Sequence, residues 1–185
     1  MSAIEQSSTV RRIVGPTILL QGGSYFDFLD PSGSVFSIED IAHGLSMTCR
    51  FAGQCSRFYS VAQHSVHVAS LVPAADAYAA LMHDAAEAFI GDVSKPLKDL
   101  LPEYRVIEDQ VEAAIARRFH LPDRLPASVK EADIVMLATE QLQLMCNRDD
   151  WNYTRGRQPA DLQIPTWSPG KAKAEFLSTF ERLKP

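Results

Sequence analysis

Ala79-Ala80-Leu81-Met82-His83-Asp84-Ala85-Ala86-Glu87 is the stretch on which the reading of this 185-residue chain turns. An apolar run leads directly into a histidine and an aspartate, which places both at the buried end of a predicted helix. A charged carboxylate there is costly unless it is paired or metal-bound. Upstream, His64 lies in Tyr59-Ser60-Val61-Ala62-Gln63-His64-Ser65; downstream, Asp133 lies in Glu131-Ala132-Asp133. His64, His83, Asp84 and Asp133 together offer two imidazoles and two carboxylates, a mixed nitrogen and oxygen set suited to one borderline or hard divalent ion. An ion with an open position activates water and polarises a phosphoryl oxygen. The plain alternative is a structural His-Asp pair.

Working outward, the helical pattern dominates from residue 60. A helix is expected over Val61–Val72, stopped before Pro73, and a second over Ala74–Ile90, ended by Gly91. Antiparallel packing of these two would bring His64, early in the first, to His83-Asp84, late in the second. Pro96–Leu101 reads as a turn or half-helix. Glu103–Phe119 and Pro126–Met145 carry apolar residues at helical spacing. Gly170–Leu183 reads as a final amphipathic helix. The polar stretch Asn147–Pro169 contains Trp151, Tyr153 and Trp167 and is expected to be a structured loop. Towards the N-terminus, Ser37 with Asp40 resembles a helix start leading into Ile38–Ser46. Thr17–Leu20 and Tyr25–Leu29, with the turn Asp30-Pro31-Ser32-Gly33 after them, read as a small β-hairpin region over 13–36. Residues 1–12 look like a loose leader. The expectation is one all-α domain over 1–185 with a minor hairpin.

Composition narrows the function classes. A hydrophobic share of 46% and a charged share of 22% are ordinary for a globular domain with a sizeable core. A net charge of −5 argues against a broad nucleic-acid surface, which needs clustered Lys and Arg. A small phosphorylated ligand held by a few cations is compatible with it. The three cysteines, Cys49, Cys55 and Cys146, are odd in number and lack a CxxC spacing, so no disulfide framework is expected and the cytoplasm is the default. No apolar run reaches the roughly 20 residues of a membrane span, and no membrane partner is expected.

Further groups bracket the proposed ion. Glu87 follows His83 by one helical turn and projects to the same face, where a carboxylate can take a proton from water or position it; a surface helical residue is the alternative. Asp92, after Gly91, can hold a ligand hydroxyl or orient water, but Gly-Asp is common in turns. Arg50, in Cys49-Arg50-Phe51-Ala52-Gly53, and Lys98, in Ser94-Lys95-Pro96-Leu97-Lys98, can hold phosphate oxygens or be ordinary solvated charges. His67 shares a face with His64, yet a packed or solvent-facing role suits it better. His43 and His120 are read as structural.

From about Tyr25 to Glu140 the chain resembles the HD-domain metal-dependent phosphohydrolase superfamily. The resemblance is carried by Ile38-Glu39-Asp40-Ile41-Ala42-His43, Arg50-Phe51, the His64 segment, His83-Asp84-Ala85-Ala86-Glu87-Ala88 and Gly91-Asp92. These pieces are similar to the small bacterial and phage branch, which includes 5′-deoxynucleotidases and deoxyadenosine-triphosphate triphosphohydrolases. The resemblance implies an HD-domain helical bundle and one divalent ion (cobalt, manganese, zinc, nickel or iron) on His64, His83, Asp84 and Asp133. It implies Glu87 as the acid/base or water-positioning residue, with Asp92 assisting or holding the sugar. Arg50 and Lys98 would hold phosphate, and Phe51 and Pro96 would shape a base pocket. A homo-oligomer is implied too. Attack of water on a 5′-monophosphate would release phosphate; attack at the α-phosphorus of a triphosphate would release nucleoside and triphosphate. Gln54 departs from the His expected after Arg-Phe-x-Gly; its neutral amide still hydrogen-bonds a ligand. A non-catalytic nucleotide- or metal-binding module and a plain helical scaffold are the competing readings.

Overall fold

The computed structural model describes residues 13–185; the expected leader over 1–12 lies outside the described residues. Among the described residues there are eight α-helices and one two-stranded antiparallel sheet. β1 (Thr17–Leu19) pairs with β2 (Tyr25–Asp27), with Ile18 opposite Phe26. The helices are α1 (Ile38–Met47), α2 (Val61–Ser70), α3 (Ala77–Leu81), α4 (Glu87–Ile90), α5 (Lys95–Lys98), α6 (Pro102–Arg118), α7 (Ala127–Leu144) and α8 (Pro169–Leu183). No helix is long and apolar enough to cross a membrane.

α1 begins where its sequence says it should. The Ser37 side chain accepts from the Asp40 amide, and the Asp40 side chain accepts from the Ser37 amide, forming a reciprocal cap. Asp40 Oδ1 also accepts from the Gly22 amide at 2.8 Å, which ties the hairpin turn to α1. Phe26 is fully buried and stacks on Phe89 of α4, with ring centroids 4.1 Å apart; Phe36 packs edge-on against both rings. The hairpin thus anchors α4, the element that leads into Asp92.

α1 and α4 approach so closely that no side chain fits between them at Gly44. A Cβ there would lie 2.6 Å from the Ala88 carbonyl oxygen and 2.9 Å from the Ala88 Cα. These are backbone atoms, so relief requires moving α4 itself. Gly44→Ala is expected to destabilise the fold by about 1–3 kcal/mol, visible as a lowered midpoint in urea unfolding.

The expected single helix over Ala74–Ile90 does not form. Ala74–Asp76 is one 3-10 turn, α3 ends at Leu81, and α4 starts only at Glu87. Between them the amides of Ala85, Glu87, Ala88 and Phe89 bond the carbonyls of Met82, Asp84, Ala85 and Ala86, three residues back. The imidazole of His83 explains the break locally. Its Nδ1 lies 2.8 Å from the Ala80 carbonyl oxygen, the acceptor that a continuous helix would give to the Asp84 amide. Helical periodicity therefore misplaced the surroundings of His83-Asp84: the pair sits on tight turns between two short helices. The argument that Glu87 shares a helical face with His83 falls with it.

The stretch after α7 is pinned by polar residues of that helix. Gln141 Nε2 donates to the Asp149 carbonyl, Gln143 bonds both the Leu162 carbonyl and the Ile164 amide, and Thr139 Oγ1 accepts from the Ala160 amide. Trp167 stacks against His67, whose ring is packed. His120 takes a left-handed conformation just past α6, with φ of 54°, an end-of-helix role.

Candidate metal centre and its cavity

His64 is set by the start of α2. Ser60 caps the helix by accepting from the Gln63 amide, and the Cys49–Ser60 bridge holds Arg50 alongside. The Arg50 amide donates to the Tyr59 carbonyl at 2.9 Å. α7 contributes Asp133, and the turns between α3 and α4 contribute His83 and Asp84. Ligand atoms of His64, His83 and Asp133 all lie within 4.8 Å of one another. His64 Nε2 is 3.2 Å from Asp133 Oδ1 and 3.5 Å from Asp84 Oδ2. His83 Nε2 is 3.2 Å from Asp84 Oδ2 and 4.0 Å from Asp133 Oδ1. The four residues singled out in the sequence are thus brought together.

The ring orientations suit an ion. His64 Nδ1 is 2.6 Å from Glu140 Oε1, and His83 Nδ1 is 2.8 Å from the Ala80 carbonyl. With Nδ1 of each ring directed at these acceptors, each Nε2 faces the carboxylates and is left to bind an ion. Both Nε2 atoms are buried and have no hydrogen-bond partner. Orphaned buried nitrogens are rare, and an acceptor behind each metal-facing imidazole is the usual outer arrangement of a metal site. These donors fit one divalent ion.

Glu140 is the residue the sequence reading missed. It is fully buried and accepts from Arg50 through Nε at 3.2 Å and Nη2 at 3.1 Å. Arg50 Nη1 lies 3.6 Å from Asp84 Oδ2. One guanidinium thereby spans the carboxylate behind His64 and a candidate ligand. The available signal was spacing: Glu140 follows Asp133 by two turns on α7, so the two share a face. Burial alone would raise the Glu140 carboxyl, but the charges of Arg50 and His64 hold it below the usual range. For His64, burial and the Arg50 charge push the imidazole down, Glu140 and Asp133 push it up, and the outcome is about 9. The centre attracts positive charge.

Above this floor opens a cavity of about 600 Å³ whose lining includes Arg50, Phe51, Asp84, Glu87, Asp92, Pro96, Lys98 and Asp133. Every remaining sequence-predicted site residue is therefore on one wall or another. Burial pushes the Glu87 carboxyl well above its ordinary range, reinforced by Asp84 and Asp92. Burial raises Asp92 as well. Lys98 is already engaged: Nζ donates to Glu108 Oε1 at 2.6 Å and lies 3.7 Å from Glu87 Oε1. Glu108 and the wall formed by Asp150–Tyr153 were not anticipated.

A helical protein with a histidine–carboxylate cluster at the floor of a cavity is the class that fold and site define. The chain is 42% identical over 163 residues to the uncharacterized protein YfdR of Escherichia coli (strain K12), covering 86% of this chain and 89% of that one. It belongs to the same family as YfdR. It is also 41% identical over 120 residues to an uncharacterized protein of Rhodobacter capsulatus, covering 60% of this chain and 61% of that one. No protein-family model matches the chain.

Proposed function

We propose that the protein is a metal-dependent phosphohydrolase of the HD-domain type, acting on 5′-(deoxy)nucleoside phosphates in the cytoplasm. The observation that carries this reading is the convergence of two orphaned imidazole Nε2 atoms with Asp84 and Asp133 beneath a cavity lined by Glu87, Asp92, Arg50 and Lys98. His64, His83, Asp84 and Asp133 would hold one divalent ion. When bound, the ion supplies Lewis-acid polarisation of a phosphoryl oxygen and lowers the pKa of water.

The chain's own groups do the rest. Arg50 is fixed by Glu140 and turns Nη1 towards Asp84, where it would hold a phosphoryl oxygen of the substrate. Lys98, beside Glu87, adds a point charge at the same wall. The Glu87 carboxyl, whose proton affinity is raised by burial, is placed to exchange a proton with water or the leaving 5′-oxygen. Asp92 orients the attacking water or a sugar hydroxyl. Phe51 and Pro96 flank the base.

Charge balance favours a monophosphate over a triphosphate. The cavity's lining carries three cations, Arg50, Lys95 and Lys98, and five carboxylates, Asp84, Glu87, Asp92, Asp133 and Asp150. With one divalent ion these charges leave no excess of positive charge, so a dianionic monophosphate adds less uncompensated charge than a triphosphate. Metal-reconstituted protein incubated with deoxynucleoside mono- and triphosphates is expected to release free phosphate from the monophosphates. Nucleoside with intact triphosphate would reassign the substrate. Metal and nucleotide binding without turnover would favour a non-catalytic module, and neither binding nor turnover would leave a scaffold.

A further inference from the structure

The chemistry proposed above assigns the aromatic side of the cavity to Phe51 and Pro96 and leaves Trp151 without a role. There Trp151, in the segment between α7 and α8, faces Phe51, with ring centroids 6.1 Å apart and planes tilted by 53°. Both rings line the cavity that contains Asp84 and Asp133.

The two rings arrive by different routes, and both routes are constrained. Phe51 and the next residue, Ala52, occupy left-handed backbone conformations, with φ of 56° and 51°. Such conformations are costly for residues with a Cβ and persist where surrounding structure enforces them, often at ligand sites. Trp151 is held by its own carbonyl, which accepts from the amide and the hydroxyl of buried Thr154 at 3.0 Å and 2.7 Å. Just before it, the Asp149 carbonyl is bonded by Gln141 of α7, the helix that carries Asp133. The aromatic wall and the candidate ligand therefore share a rigid support.

A continuous row links the two ends. Arg50 Nη1 is 3.6 Å from Asp84 Oδ2, and the Arg50 guanidinium carbon lies 5.5 Å from the Phe51 ring centroid. Trp151 lies next to Phe51, with ring centroids 6.1 Å apart. A ligand with an anionic group at the Asp84 end would present its far portion to two aromatic rings.

We propose that Trp151 is a specificity-determining residue which, with Phe51, takes the planar ring of the substrate by stacking. This rests on the nucleotide phosphohydrolase reading. It adds that the base is a binding determinant, and that a sugar phosphate without a base is handled by the metal end alone. Base–aromatic stacking lost on truncation corresponds to roughly 5- to 150-fold in binding.

The test compares deoxynucleoside 5′-monophosphates with deoxyribose 5-phosphate, using metal-loaded wild type, Trp151→Leu and Trp151→Phe. Trp151→Leu is expected to raise KM for the nucleotides about 10-fold or more, with kcat and all parameters for the sugar phosphate unchanged. Trp151→Phe is expected to restore most of the loss. In a Trp167→Phe background Trp151 is the sole tryptophan, because the chain has two. Nucleotides should then quench its emission saturably while the sugar phosphate does not.

Equal losses on both substrates, or no loss on either, would overturn the stacking role. Wild-type hydrolysis of nucleotide and sugar phosphate with equal kcat/KM would overturn it alone, leaving the phosphohydrolase reading standing. Failure to bind or hydrolyse any nucleotide would remove both together.

Discussion

With His83 replaced by alanine, the purified protein is expected to carry no stoichiometric divalent ion and to lose metal-dependent phosphate release by more than ~100-fold, beyond what loss of a group behind a ligand causes. The imidazole does two things. Its Nδ1 closes on the Ala80 carbonyl at 2.8 Å, and its buried Nε2 faces Asp84 at 3.2 Å with no hydrogen-bond partner. Alanine removes a donor and leaves the two carboxylates with one imidazole. The measurement is metal content by elemental analysis alongside turnover. Chelator treatment of the wild type provides the control: an ion bound only to the folded state raises its stability, so its removal should lower the unfolding temperature. His83→Ala protein should be insensitive to chelator. Equal metal content in variant and wild type, or a wild type indifferent to chelator, would make the His83-Asp84 pair purely structural.

Glu140→Ala is expected to cost about 3–5 kcal/mol of folding stability, because it removes the hydrogen-bonded partner of a buried guanidinium and leaves it only the looser contact with Asp84 at 3.6 Å. Glu140 is fully buried, and both Arg50 nitrogens that reach it end on the same oxygen. Its other oxygen is 2.6 Å from His64 Nδ1, so the loss also frees that ring. Two consequences can be separated. Combining Glu140→Ala with Arg50→Met should recover much of the stability, since a buried ion pair replaced by apolar groups is often near neutral. The double variant should still bind metal ~10–100-fold more weakly, because the acceptor that orients His64 is gone. Urea unfolding and metal titration measure the two quantities. A single variant as stable as wild type would mean that the Arg50–Glu140 pair contributes little.

The contrast between His64 and Glu140 shows where the sequence was readable. His64, His83, Asp84 and Asp133 stand out because imidazoles and carboxylates next to apolar runs are chemically conspicuous. Glu140 stands in a helix with many polar neighbours, and only its position two turns from Asp133 hints at a shared face. Lys98 shows the opposite limit. Its type suggested phosphate binding, yet its hydrogen-bonded partner Glu108 comes from another element and already compensates much of its charge. Trp151 carried a weak signal, a tryptophan in a polar stretch, but its distance from Phe51 along the chain hid their meeting in one cavity.

The sequence by itself determined the helical character, the hairpin, the reciprocal cap at Ser37 and Asp40, and the identities of the four clustered His and Asp side chains. All of these depend on local spacing or on the chemistry of single residues. The tertiary structure decided the break between α3 and α4, the Glu140–His64–Arg50 link, the pairing of Lys98 and the aromatic wall. Each of these is a competition settled by partners far away or by a side chain taking a backbone acceptor. At Ala80 an imidazole replaced an amide as the partner of one carbonyl, and no periodicity in the chain records that exchange.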